Sequence, residues 1–292
     1  MRLNALHLLT HTDLDGIGCA VLVAGSAEGS ASIEPVEKGA IDGRVRALVQ
    51  EADPRATRVL VTDHGVSEST AELVDGFVAA GGGFTLLDHH RSSRHLRERA
   101  WATVDERHSA TALLFRHLER PARFGAFVRL VEDHDLWRHA DPRSARLAAL
   151  LGLLGHDRFV ARFGADPAVE FRDEEVLLLE LEEGRRETYL RRKTEQAWVR
   201  EIGGHAWAFC YADQYQSDLA ERLMSVLGVA GTALLNRGKR TVSLRGRGVD
   251  VSTIAQRWGG GGHARAAAFT FAGSALEVSL QEFEEAVSGS LE

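Results

Sequence analysis

Three short apolar runs in the first third of the chain end in the same way, and that shared ending limits the folds open to it. Leu6–Thr10 runs into His11-Thr12-Asp13-Leu14-Asp15-Gly16, Val59–Thr62 into Asp63-His64-Gly65, and Gly83–Leu87 into Asp88-His89-His90. Each run has the length and apolar content of a buried strand, with its polar groups gathered at the C-terminal tip. Helix-like stretches separate them: Gly16–Ser26, Arg44–Ala52 with Val45, Leu48 and Val49 at helical spacing, and Ser67–Ala80. The last opens with Ser67 or Ser69 as N-cap, and Glu72 follows Ser69 at capping-box spacing. Ser32–Lys38 supplies a further strand. Alternation of this kind predicts a parallel sheet with helices on both faces. In such sheets ligands bind beyond the strand C-termini.

From Ser109 the pattern turns helical, with segments at Ser109–Leu118, Ala122–Val131, Ser144–Phe163 and Asp173–Val199. The second of these leads into Glu132-Asp133-His134-Asp135-Leu136-Trp137. The fourth carries charges of both signs and reads as a solvated linker helix. A second α/β segment begins near Gly203-Gly204, with strands at His205–Tyr211, Gly231–Asn236, Thr241–Arg245 and Phe269–Phe271. Its helices are expected at Ser217–Leu227, Asp250–Trp258 and Ala275–Val287. The expected fold class is therefore α/β in two parts. A parallel-sheet domain spans 1–184, a linker helix 185–202, and a smaller mixed-sheet domain 203–292, with the active site in a cleft between the domains.

Side chains two apart on a strand share a face. His11, Asp13 and Asp15 converge if strand geometry persists to the tip, and Gly16 lets the backbone turn sharply after them. Alone, Asp13-Leu14-Asp15-Gly16 reads equally as a turn or helix cap, and Asp63-His64-Gly65 as a strand-ending turn. Asp88-His89-His90 is harder to account for structurally, because three adjacent polar groups at a buried strand end need partners. Together the three segments offer more ligands than one cation can use, with Asp63 placed as a bridging carboxylate. Two divalent ions about 3.5–4 Å apart would polarise a phosphoryl oxygen and lower the pKa of a water. Carboxylate and imidazole ligands without thiolate favour Mn²⁺, with Mg²⁺ or Co²⁺ also compatible.

Composition sharpens the choice of partner. The 292 residues carry a formal charge of −7, against the basic surface that extended duplex binding requires. A short anionic substrate held by a few local charges remains compatible. The two cysteines, Cys19 and Cys210, are far apart and fit a reducing compartment. No run of about 18 apolar residues is present to span a membrane, and the N-terminal residues do not resemble a signal peptide. The cytoplasm is the expected location.

The set His-Thr-Asp-Leu-Asp-Gly, Val-Thr-Asp-His, Leu-Asp-His-His and Gly-Gly-Gly-Gly-His, in that order, resembles the DHH phosphoesterases that carry a C-terminal DHHA1 domain. That family includes RecJ exonucleases, nanoRNases with pAp phosphatase activity and cyclic-dinucleotide phosphodiesterases. The resemblance implies that His11, Asp13 and Asp63 hold one Mn²⁺, and that Asp15, Asp63, His89 and an aspartate of a fourth motif hold another. For that aspartate the spacing after Phe127–Val131 favours Asp133, with Asp135 orienting a ligand from behind. Asp88 would bond a histidine, and His90 would face the substrate phosphate, so that Asp63, Asp88 and His90 form the catalytic group. In the second domain Gly261 and Gly262 would let backbone amides approach the substrate, while His263 and Arg245 contact its phosphate or base. Two departures stand out. One residue, Thr12, separates His11 from Asp13, a RecJ-like spacing with histidine in place of a carboxylate. Ala268 also stands where the glycine-rich motif is usually followed by glycine.

The implied activity is metal-dependent hydrolysis of short single-stranded RNA or DNA one nucleotide at a time, or of the small nucleotide pAp. A cyclic or linear dinucleotide is the alternative substrate, and a nucleotide-binding sensor without turnover is the alternative class. A homodimer is compatible with the resemblance. His64 is open to a substrate contact or a structural hydrogen bond. Trp137 is open to base stacking or a core position. Asn236 and Arg265 are weaker substrate candidates.

Overall fold

The computed structural model describes residues 5–25, 31–119 and 122–270. The chain divides into two compact units, Met1–Leu179 and Glu180–Glu292. In the first, strands β1 (Ala5–Thr10), β2 (Ala31–Pro35), β3 (Thr57–Thr62), β4 (Gly83–Asp88) and β5 (Ala102–Val104) form one sheet in the order β2-β1-β3-β4-β5. All of its pairings are parallel, as the alternation of strand and helix predicts. Helices α1 (Leu14–Ala24), α2 (Ile41–Glu51) and α3 (Glu68–Ala79) connect its strands, and α4 (Ala110–His117), α5 (Gly125–Asp135) and α6 (Pro142–Ala165) follow. Gly155 breaks α6 with a φ of 72°.

Strand alternation builds a core on each face of this sheet. Leu8, Leu60 and Leu87 pack with Ile17, Leu114, Phe127 and Phe163, under the layer of α1, α4, α5 and α6. Their neighbours Leu9, Val59, Val61 and Leu86 pack with Val45, Val74, Phe77 and Trp101, under α2 and α3. A strand buried on both faces must be apolar throughout, so polar side chains are confined to its ends. The register aligns Thr10 with Thr62, and Thr62 with Leu87. The three polar tips therefore leave the sheet side by side. The chain also reverses its direction of travel across the sheet between β1 and β3, and a crevice opens at such a switch point.

The second unit contains β6 (Trp198–Ile202), β7 (His205–Tyr211), β8 (Gly231–Asn236), β9 (Thr241–Gly246), β10 (Gly261–His263) and β11 (Ala266–Thr270). Their order is β10-β11-β9-β8-β7-β6, and the sheet is mixed, with β7 and β8 parallel and the other pairs antiparallel. A long helix, α7 (Asp173–Glu195), precedes it, and α8 (Gln216–Leu227) and α9 (Val251–Arg257) pack on it. Trp207 and Phe209 face one apolar layer with Leu244 and Ile254, and Ala208 and Cys210 face another with Leu219 and Leu223. Gly231 makes room for the Trp207 indole, since a Cβ there would lie 2.6 Å from the ring.

The helix expected to reach Val199 ends at Glu195 instead, and Trp198–Ile202 pairs antiparallel with β7. Trp198 and Val199 favour a strand, and a neighbouring edge was available to pair with them. The short strands β5, which pairs with β4, and β10, which pairs with β11, have no counterpart among the expected elements. The closing helix expected at Ala275–Val287, Phe271 at the end of the last expected strand and Ser26 lie outside the described residues. Both cysteines are unpaired and buried. Among the described residues, no helix is long and apolar enough to cross a membrane.

Candidate metal centre

The site starts from how β1 ends. The Thr62 hydroxyl donates to Thr10 Oγ1 at 2.7 Å, and the Thr10 hydroxyl donates to the Gly16 carbonyl at 2.8 Å. This buried chain ties two strand tips to the first turn of α1. Asp13 is the N-cap of that helix and accepts from the Gly16 amide at 3.1 Å. Gly16 itself lies so close to the preceding turn that a Cβ would stand 2.2 Å from the His11 carbonyl oxygen. His11, Asp13 and Asp15 are thereby wound into a tight strand-to-helix turn.

Asp15 is buried, and its two oxygens accept the amides of Ala110 and Thr111 at 2.6 and 2.9 Å. Those amides open α4, where the helix dipole favours negative charge. Asp63 follows β3 with a φ of 58°, a left-handed conformation that aspartate tolerates better than most residues. Asp88, at the end of β4, is fully buried and takes the His89 amide at 2.8 Å and His90 Nδ1 at 2.7 Å. Its other oxygen accepts the Ser93 hydroxyl. Ser93 lies in the turn after the motif, and nothing in the local sequence singles it out.

These side chains converge on Asp63. His11 Nδ1 is 2.9 Å from Asp13 Oδ2 and 3.6 Å from Asp63 Oδ2. His89 Nε2 is 3.3 Å from Asp63 Oδ1, 3.4 Å from Asp135 Oδ2 and 3.7 Å from Asp15 Oδ2. Three groups suited to a metal result: His11, Asp13 and Asp63; Asp15, His89 and Asp135; and Asp63 with Asp88, His89 and His90. His11 Nδ1, both Asp63 oxygens, His89 Nε2 and Asp135 Oδ2 are buried without a hydrogen-bond partner. Buried polar atoms without partners are costly, and so many around one carboxylate fit a cluster built to hold cations.

Of the two aspartates on α5, Asp135 faces the cluster and Asp133 does not. Asp133 accepts the amides of Ala140 and Asp141 at 2.9 and 3.3 Å, and the Ser144 hydroxyl together with these amides holds its carboxyl below the usual range. Both aspartates lie on α5, where residues two apart point about 200° away from each other. Only one can face the cluster, and the spacing in sequence did not tell which. His64 Nε2–H donates to the Val36 carbonyl at 2.9 Å. Asn236 accepts the Lys239 amide at 2.9 Å in the β8–β9 connection.

The charges respond to this crowding. The carboxylates of Asp13 and Asp63 that face it push His11 up to about 10. His89 is raised to about 9: burial opposes its charge, but Asp63, Asp135 and Asp15 outweigh it. Burial, then the charges of Asp63 and Asp135, lift Asp15 well above the carboxylate range, and burial raises Asp135 to about 6. A histidine must be neutral to ligate, so a cation held by His11 and His89 would have to displace their protons. Mn²⁺ affinity is therefore expected to strengthen as pH rises from about 7 to 9, roughly tenfold per pH unit for each displaced proton. Calorimetric Mn²⁺ titrations in buffers of different ionisation enthalpy read the protons released. An affinity flat across that range would refute the assignment of His11 and His89.

In the second unit, β11 pairs Ala266 with both His263 of β10 and Arg245 of β9. The register thus sets His263 and Arg245 in one row across the sheet. Gly262 has a φ of 142°, and a Cβ there would lie 2.5 Å from the Ala266 carbonyl oxygen, so this position on β10 requires glycine. Arg245 is half-buried, donates to Ser217 Oγ at 3.0 Å, and has its pKa lowered by burial.

At its switch point the parallel sheet gathers carboxylates and imidazoles suited to divalent cations, and the mixed sheet carries a glycine that its backbone requires just before His263. The DHHA1 domain family matches residues 213–289. Oligoribonuclease NrnB of Bacillus subtilis (strain 168) is 32% identical, over 94% of this chain and 75% of that protein. Among solved structures, the pGpG-specific phosphodiesterase PggH of Vibrio cholerae superposes with a TM-score of 0.62 at 12% identity, over 98% of this chain and 97% of that one. RecJ of Thermus thermophilus in complex with Mn²⁺ gives 0.56 at 17% identity, over 98% and 52%. At those identities the two structures establish a shared fold. The chain belongs to the DHH/DHHA1 family of phosphoesterases.

Proposed function

We propose that this phosphodiesterase hydrolyses short oligonucleotides, releasing one nucleotide at a time, and acts on the small nucleotide pAp by the same chemistry. The observation that carries the reading is the set of unpartnered ligand atoms around Asp63. In this reading His11, Asp13 and Asp63 would hold one divalent cation, and Asp15, Asp63, His89 and Asp135 a second, with Mn²⁺ the preferred ion. Bound there, such ions supply Lewis-acid charge to a phosphoryl oxygen and lower the pKa of water. Asp63 lies between the two groups and is the candidate bridge. Asp88 holds His90 by its Nδ1 and raises the pKa of that imidazole. Held this way, His90 is positioned to face a phosphate oxygen, and its side chain is 42% exposed to meet one. Arg245, His263 and the amides of Gly261 and Gly262 are proposed to grip the phosphate or base of the substrate. The naming of the Bacillus relative as an oligoribonuclease supports the substrate class, as does the net charge of −7, which disfavours long duplexes.

The test incubates metal-stripped protein with Mn²⁺ and a panel: RNA and DNA of two to about 24 nucleotides, pAp, cyclic di-AMP and pyrophosphate. Mononucleotide release fastest from the shortest oligomers is expected. Selective loss of cyclic di-AMP or pyrophosphate would overturn the substrate while keeping the two-cation chemistry. Nucleotide binding without turnover across the panel would make the chain a sensor.

A further inference from the structure

The loop after α5 carries a feature that the metal centre does not use. Trp137 stands two residues beyond Asp135 and is 72% exposed, the most exposed of the large hydrophobic side chains described. That overturns a core position for it. A single exposed apolar side chain is ordinary on a protein surface; what sets this one apart is the backbone that holds it.

The loop holds the indole there by a dense set of backbone bonds. Four consecutive amides all donate to Asp133. Arg138 and His139 reach its carbonyl at 3.0 and 3.4 Å, and Ala140 and Asp141 reach its carboxylate at 2.9 and 3.3 Å. The Trp137 amide donates to the His134 carbonyl at 3.1 Å. Trp137 and His139 are both left-handed, with φ of 56° and 48°. Bulky residues rarely adopt that conformation, and it persists where the surroundings over-determine it, most often at functional sites. The His139 ring meets the indole edge-on, with centroids 4.4 Å apart, and the His134 ring lies 6.4 Å away.

His134 connects this shelf to the metal centre. It lines a cavity of about 400 Å³ together with Thr12, Asp13, Leu151, Gly155 and His156, and its Nδ1 is buried without a partner. Asp13, one of the proposed ligands, borders the same space. A cavity of a few hundred Å³ with a few polar groups suits a nucleoside-sized fragment. An exposed indole whose ring centre lies 6.4 Å from that of His134 suits a flat aromatic ring, since every nucleobase offers a π-face.

We propose that Trp137 is a stacking platform for a nucleobase of the bound oligonucleotide, displayed by the loop that Asp133 ties back. The proposal rests on the oligonucleotide reading above and adds a residue that selects for a base next to the scissile phosphate. Asp133 then has a defined role as the positioning residue of that loop, which accounts for its carboxylate being spent on backbone amides.

The test compares parent protein, Trp137→Ala and Trp137→Phe in Mn²⁺ on the dinucleotide pApA and on two analogues, each lacking one base. For one of the two positions, Trp137→Ala is expected to lower the ratio of kcat/KM for pApA to that for the matching abasic analogue by roughly 5- to 150-fold. Trp137→Phe should recover most of that ratio, because a phenyl ring still stacks. A ratio unchanged at both positions overturns the platform, as does a loss explained by weaker Mn²⁺ binding or a lower melting temperature. Equilibrium binding of pApA separates this proposal from the function itself. If the parent binds but does not turn over pApA, the hydrolase reading fails. The platform then stands or falls on whether Trp137→Ala weakens binding by a similar factor. A parent that does not bind pApA overturns the platform.

Discussion

Asp63→Asn is expected to lower kcat/KM for the preferred oligonucleotide by about a thousandfold or more, with the fold intact. Polarisation by two cations is worth several kcal/mol, and each 1.36 kcal/mol is tenfold in rate. Asparagine is the informative substitution because Asp63 sits at a φ of 58°, which asparagine adopts readily and alanine does not. The change keeps side-chain volume and removes the charge that faces His11, His89 and His90. The decisive readout is thermal. A ligand at a hundredfold excess over its Kd stabilises a protein by about 2.7 kcal/mol. Mn²⁺ should raise the melting temperature of the parent and do little for Asp63→Asn. A variant that retains both the Mn²⁺ response and the activity would remove Asp63 from the centre.

The two aspartates of α5 give the second large effect, with opposite signatures. Asp135→Asn is expected to weaken Mn²⁺ binding by at least about 10- to 100-fold, the loss seen even for residues one shell behind a metal. Activity at limiting Mn²⁺ should fall with it, and the melting temperature of the metal-free protein should hold, because the lost carboxylate oxygen has no hydrogen-bond partner there. Asp133→Ala should do the reverse. It strips acceptors from the amides of Ala140 and Asp141 and is expected to cost about 1–3 kcal/mol of stability, while Mn²⁺ affinity stays near that of the parent. Paired Mn²⁺ titrations and thermal melts of the two variants decide the assignment. Equal Mn²⁺ affinities in both would refute it.

The sequence alone determined what lies at each strand tip. A strand buried on both faces must be apolar, so the polar residues that end Leu6–Thr10, Val59–Thr62 and Gly83–Leu87 were readable as one layer of ligands before any register was known. It also determined the parallel sheet, through the alternation of strand and helix periods. Tertiary structure decided what depends on angle and on distant partners. Helical phase turns Asp135 toward His89 and Asp133 toward the amides of Ala140 and Asp141, a choice that two positions in sequence cannot make. The neighbouring β7 edge draws Trp198–Ile202 out of the expected helix and into a strand. Burial of Asp15 against the start of α4 joins residues about a hundred positions apart, a pairing set by loop closure and not by local pattern. Trp137 shows the same limit: a tryptophan at a helix end fits a core or a surface equally in sequence. Only the backbone bonds that tie the following loop to Asp133 leave its ring in water, because they fix the direction in which the chain leaves the helix.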